Sequence, residues 1–134
     1  MDKKLQDKYI EFQNSVQEIE TLQQHIQELQ NQRIELENID HSLSEIKKLS
    51  WKNKILVPLG CGLFSHGSIE ENDEVVMNVG AGIYLKKNNV EAREIVQNQM
   101  EEFDQLIKHF EKDLKNKTTH VNDLQREISK ISPD

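Results

Sequence analysis

The chain has 134 residues, of which 35% are hydrophobic and 31% charged, with a formal net charge of −7. That apolar share is too small for a thick core and enough for a thin seam between helices. The net negative charge argues against a general nucleic-acid binder.

The charge is unevenly placed. Residues 1–50 carry 6 basic and 10 acidic side chains, residues 51–87 carry 4 and 4, and residues 88–134 carry 7 and 10. The single cysteine, Cys61, permits no internal disulfide, which fits a reducing compartment. The first residues lack the apolar run of a signal peptide, and no window approaches the ~18 apolar residues of a membrane span. The expectation is a soluble, cytoplasmic protein with no membrane association.

Taken in chain order, the sequence divides into three segments: 1–50, 51–87 and 88–134. Residues 3–49 contain no Pro and no Gly. Leu5, Tyr9, Phe12, Val16, Ile19, Leu22, Ile26, Leu29, Leu36, Leu43 and Ile46 recur at helical steps. The step from Ile19 to Leu22 shifts the phase, and the stripe becomes ragged near Arg33 and Asp40. This predicts a long amphipathic helix with one stutter.

The middle segment changes period. Val75, Met77, Val79, Ile83 and Leu85 fall on one face, while Glu74, Asn78, Tyr84 and Lys86 fall on the other. That alternation predicts half-buried strands. In the stretch before it, both faces are apolar, with Ile55, Val57 and Leu59 on one and Leu56 and Pro58 on the other. Each stretch turns on a Gly-x-Gly: Gly60 and Gly62 in "VPLGCGLF", Gly80 and Gly82 in "MNVGAGIY". A dinucleotide loop needs a third glycine and a helix directly after it. Here the strand pattern resumes through Leu63 and Ile83 instead. The glycines therefore read as turn residues with positive φ, giving two consecutive β-hairpins joined by the polar link Glu70–Asp73. No P-loop occurs, and no cofactor is expected.

The last segment is the cleanest. Val96, Met100, Phe103, Ile107, Phe110, Leu114, Lys117, Val121, Leu124, Ile128 and Ile131 follow steps of 4 and 3 without a slip, and Lys117 alone is polar. This predicts a coiled-coil helix. Asn88 and Glu91 have the spacing of a capping box at its start, and Pro133 lies just past its end. Each helix needs a partner for its stripe, and the nearest is the other helix, brought alongside antiparallel by the hairpins. The expected fold is α+β: two long antiparallel coiled-coil helices joined by two β-hairpins. Two hairpins are not stable alone in water, so their apolar faces are expected to be covered by oligomerisation.

None of His25, His41, His66, His109 and His120 falls in a metal-ligand spacing. The four on helices read as solvated, and His66 as a surface or interface residue of a strand. Trp51 reads as packing at the junction of helix and hairpin. The acidic residues are spread along helix faces, so no catalytic pair, metal site or enzyme is expected.

The order helix, hairpin, hairpin, helix resembles the alpha class of prefoldin subunits. The resemblance rests on "ILVPLGCGLFSHGSI" and "VVMNVGAGIYLKK" and extends through the flanking helices over nearly the whole chain. Beta-class subunits carry one hairpin, and this chain has two. Cys61 stands where a small residue such as Ala or Ser is usual. The resemblance implies a hexamer of two alpha-class and four beta-class subunits. In it the hairpins, through Ile55, Val57, Leu59, Leu63, Val75, Met77, Val79, Ile83 and Leu85, build a β-barrel platform from which coiled coils project. It further implies an ATP-independent chaperone that holds unfolded polypeptides at the coiled-coil tips and passes them to a group II chaperonin. The tip residues expected to contact client are Tyr9, Phe12, Leu124, Ile128 and Ile131. The competing expectations are that these residues complete the seam within the chain, and that the protein is a coiled-coil scaffold or a filament-forming prefoldin relative.

Overall fold

A run of 46 residues without Pro or Gly gives one uninterrupted helix, α1, over Lys3–Lys48. The computed structural model describes residues 3–49 and 53–131; Trp51 and Pro133 lie outside them. After α1 come β1 (Lys54–Gly60), β2 (Leu63–Ser68), β3 (Glu74–Gly80) and β4 (Ile83–Asn88), then the second long helix, α2 (Asn89–Ile131). Asn88 caps α2 as its spacing predicts: its Oδ1 accepts a hydrogen bond from the Glu91 N–H at 2.7 Å.

The strands form two separate antiparallel hairpins, β1 with β2 and β3 with β4. Their registers match in detail. Val57 pairs with Ser65 and Pro58 with Phe64, and in the second hairpin Met77 pairs with Leu85 and Asn78 with Tyr84. Each first strand is bulged by one residue just before its turn, between Pro58 and Gly60 and between Asn78 and Gly80. A bulge at this place adds twist and re-aims the strand end.

Both turns use two central residues at positive φ: Cys61 (51°) with Gly62 (78°), and Ala81 (52°) with Gly82 (73°). Positive φ at both positions is the requirement of a type I′ turn, whose twist matches that of the strands it joins. The glycines thus adopt the conformation the sequence predicts. Cys61 and Ala81 adopt it too, at a steric cost that glycine does not incur.

The chain divides into two compact units, residues 1–33 with 102–134, and residues 34–101. In the second unit a small core forms around Leu43, Ala92 and Val96, with Leu36, Val75, Met77 and Met100 packed against it. The second hairpin thus docks on the helices through the face expected to be buried. The end of α1 is tied by side-chain amides. Asn72 Nδ2 donates to the carbonyls of Lys47 (3.1 Å) and Leu49 (2.7 Å), and Asn89 Nδ2 donates to Leu43 O at 3.0 Å. The Lys47 carbonyl, in the last turn of α1, has no donor four residues on within the helix, and the Asn72 amide supplies one. The Asn89 N–H also bonds Asp73 O, and Lys47 pairs with Asp73.

In the first unit the helices pack antiparallel. Leu22 and Ile26 of α1 and Ile107, Leu124 and Ile128 of α2 are buried. The ragged positions of α1 have a local explanation. Arg33 Nε bonds Asp104 Oδ1 at 2.6 Å in the first unit, and Arg93 Nε bonds Asp40 Oδ1 at 3.1 Å in the second. At these positions an ion pair between α1 and α2 takes the place of an apolar contact.

Candidate functional site

Two surfaces stand out, and both are apolar. The first is the hairpin pair. Leu59 is 67% exposed, and Leu56, Leu63, Phe64, Val76, Val79, Ile83, Tyr84 and Leu85 are exposed as well. Val57 is marginally exposed, while Ile55, Val75 and Met77 are half-buried. The register explains why both faces are apolar in the first hairpin. Ile55, Val57 and Leu63 share one side with Ser65 and Gly67, while Leu56, Pro58, Phe64 and His66 share the other. With two strands per sheet, each strand has one backbone edge without a partner strand among the described residues. Uncovered apolar side chains beside open strand edges make the hairpin pair a candidate site.

The glycines sit in and beside the two strand-to-strand turns. A strand follows each turn directly, β2 after Gly62 and β4 after Gly82, where a dinucleotide loop would lead into a helix. A methyl group added at Gly82 would meet nothing within 4 Å. Backbone conformation, rather than close approach, is what demands glycine there.

The second surface is the end of the first unit where α1 begins and α2 ends. The five residues singled out from the sequence meet there with different exposures. Tyr9 is 40% and Ile131 39% exposed, and Phe12 is half-buried. Leu124 at 4% and Ile128 at 9% are sealed into the seam within the chain. Ile10, which the periodicity leaves off the stripe, is also exposed.

Two ion pairs between α1 and α2 flank this end, Lys8 with Glu127 and Lys117 Nζ with Glu18 Oε2 at 2.7 Å, and His120 Nε2 lies within hydrogen-bond distance of Glu11 Oε1 at 3.0 Å. The hydrogen bond from Lys8, reinforced by its charge, holds the Glu127 carboxyl below its ordinary pKa against the opposing effect of desolvation. The hydrogen bond to Glu18, again with the charge attraction, holds the Lys117 ammonium above its ordinary pKa. Lys117, the one polar member of the α2 stripe, is therefore a paired residue. His25 sets its ring edge-on to Phe110 with centroids 6.1 Å apart, so this exposed histidine also takes part in helix packing.

Several structural residues escape a reading of the sequence. Asn72 and Asn89 look like ordinary linker and cap residues until their long-range acceptors are seen. Cys61 and Ala81 give no sign of positive φ except their place in a two-residue turn.

Comparison with known proteins agrees with this architecture. The family model described as Prefoldin subunit matches residues 16–134. Prefoldin subunit alpha 2 of Thermococcus kodakarensis is 32% identical over 92 residues, 69% of this chain. That stretch spans 65% of the relative's length, just under two thirds. Prefoldin subunit alpha of Pyrococcus horikoshii is 24% identical over 131 residues, covering 97% of this chain and 88% of that protein. Among solved structures, a chain of the filamentous PFD from Methanocaldococcus jannaschii superposes with a TM-score of 0.75 at 23% identity, over 86% of this chain and 95% of that one. With two long helices, two hairpins and this match over most of its length, the chain belongs to the prefoldin family, as an archaeal-type alpha subunit.

Proposed function

We propose that this protein is a subunit of an ATP-independent, non-enzymatic cytoplasmic chaperone that binds unfolded polypeptides and delivers them to a group II chaperonin. Membership in the prefoldin family carries this reading. Two chains of this kind combine with four beta-class subunits, and the exposed hairpins close with those of the neighbours into a β-barrel platform. Burying side chains such as Leu59, Leu63, Phe64 and Tyr84 in that platform supplies the driving force, at about 25 cal/mol per Å² of apolar surface removed from water.

Client capture is assigned to the coiled-coil tips. Tyr9, Ile10, Phe12 and Ile131 offer accessible apolar surface there, and Leu124 and Ile128 add more when the helix ends part. Each contact is weak, and several tips acting on one unfolded chain raise the affinity through effective concentration. Truncation to about residues 15–120 should preserve assembly with a beta-class partner and abolish suppression of client aggregation. Undiminished suppression by the truncated complex would place client binding elsewhere.

A second reading draws on the filamentous relative: the same exposed hairpins would let copies of this chain assemble with each other into a scaffold. Sedimentation of the chain alone separates the two, because a scaffold grows with concentration in the absence of any beta-class subunit.

A further inference from the structure

The outer face of α2 carries a second stripe with the period of the seam. Glu94, Asn98, Glu101, Gln105, Lys108 and Lys112 follow steps of 4 and 3, and Lys115 continues them. Each stands two residues before a seam position, from Val96 to Lys117. Two residues is about 200° around a helix, so the stripe points away from α1. All of its side chains are exposed. Its first half is acidic and its second half basic, with Gln105 between them. The helix dipole does not account for this, because it acts within the first and last turns. Glu101 and Lys108 lie near the middle of the 43-residue α2. Among the described residues, none of Glu94, Glu101, Lys108, Lys112 and Lys115 enters an ion pair, and Asp104, one turn before Lys108, is committed to Arg33. Lys108, Lys112 and Lys115 stand one turn apart, so their charges repel along the helix.

The pattern is complementary to itself. Set antiparallel, a second copy of α2 brings Lys115 to Glu94 and Lys108 to Glu101. Both pairs are centred on the same point, between Asp104 and Gln105, so one register makes both. Two-fold symmetry then makes each pair twice. The two Gln105 side chains meet near the axis, and Asn98 lies opposite Lys112. A parallel arrangement in register would set lysine against lysine and glutamate against glutamate. A nucleic acid would satisfy the lysines and set phosphate against Glu94 and Glu101, and the net charge of −7 already disfavours it. A second copy of this helix satisfies both halves.

We infer that the outer face of α2 is a self-association surface, on which two copies of this chain pair antiparallel through Glu94–Lys115 and Glu101–Lys108. The pairing rests on the charge pattern alone. That it joins separate assemblies rests on the platform reading, because two copies on one platform project their helices from the same side. Exposed ion pairs hold weakly and are screened by salt, so the contact is reversible and forms at low ionic strength.

Sedimentation velocity of the complex with a beta-class partner tests the pairing, since the hairpins are then covered. Complexes should pair at about 50 mM salt, and the association constant should fall about tenfold or more by about 500 mM. Lys108→Glu with Lys115→Glu turns every pair into glutamate against glutamate, and Glu94→Lys with Glu101→Lys turns every pair into lysine against lysine. Each double variant alone should lose the pairing, and an equal mixture of the two should regain it. A misfolded variant cannot produce that recovery. In a Cys61→Ser background, Gln105→Cys should cross-link to itself through a short bismaleimide. Thr119→Cys, on the same stripe but far from the axis, should not. No pairing by the parent at low salt, pairing that survives both reversals, or a mixture that fails to recover overturns the inference. Binding of a nucleic acid or an added acidic protein to the lysines, with no cross-link at position 105, also overturns it and gives the stripe another partner. If the chain and a beta-class subunit form no complex, the platform reading fails, and the cross-link in the chain alone still decides the pairing.

Discussion

Replacing Asn89 tests the account of how the end of α1 is tied. The side chain is 2% exposed, and its Nδ2 donates to Leu43 O at 3.0 Å in the core unit. Asn89→Ala removes that bond, worth about 1 kcal/mol net, and leaves a small void in a packed site, worth about 1 kcal/mol more. Alanine's better helix propensity returns about 0.5 kcal/mol. The net loss is about 1.5 kcal/mol, or about 5 °C in Tm for a chain of this size. Asn89→Asp separates two opposed effects. A carboxylate in the first turn of α2 gains at most about 1 kcal/mol from the helix dipole. An acceptor-only charge buried against the Leu43 carbonyl costs about 3 kcal/mol or more. Burial wins, so the aspartate variant should be the least stable of the three at neutral pH and should recover part of the loss as the pH falls and it protonates. Thermal unfolding followed by circular dichroism, at one protein concentration, gives the order. An alanine variant within 1 °C of the parent, or an aspartate variant as stable as the alanine one, refutes the reasoning.

Ala81→Asn should raise Tm, because asparagine tolerates the φ of 52° better than alanine and restores the Asn-Gly pair favoured in type I′ turns. Gly82→Ala should lower stability by about 1 kcal/mol through backbone strain alone, since the space around it is open. The Lys8–Glu127 pair gives a sign in pH. Because Glu127 titrates below its ordinary range when folded, its contribution is present above the ordinary carboxylate pKa and is lost as the pH falls through the folded value. Lys8→Met should therefore lower Tm at neutral pH, where the pair contributes, and flatten the acid limb, with parent and variant converging below the folded pKa. Lys117 has the opposite sign. Its contribution holds below the ordinary lysine pKa and fades as the pH rises through the raised folded value, and Glu18→Gln should remove that alkaline dependence.

The element types were legible because their periods are. The 4–3 steps of α2 and the alternation around Met77 and Leu85 each need only a local window. The stripe of α1 was less clear, and the reason lies in α2. Arg33 and Asp40 break the apolar pattern because their partners, Asp104 and Arg93, come 71 and 53 residues later. The two hairpins read as a repeat, and their registers are indeed alike. Their surroundings differ, because Val75 and Met77 of the second pack on the helix core while Leu59, Leu63 and Phe64 of the first stand exposed. At the tip, the heptad positions of Leu124 and Ile128 carried two meanings, seam and client surface. Periodicity alone does not separate them.

The central claim is that the uncovered hairpins are an assembly surface for beta-class partners. Native mass spectrometry of the chain mixed with a beta-class subunit measures this directly. The account predicts a discrete heterohexamer with two copies of this chain and four of the partner. A partner that stays unbound while this chain remains monomeric or grows into homopolymers would contradict it.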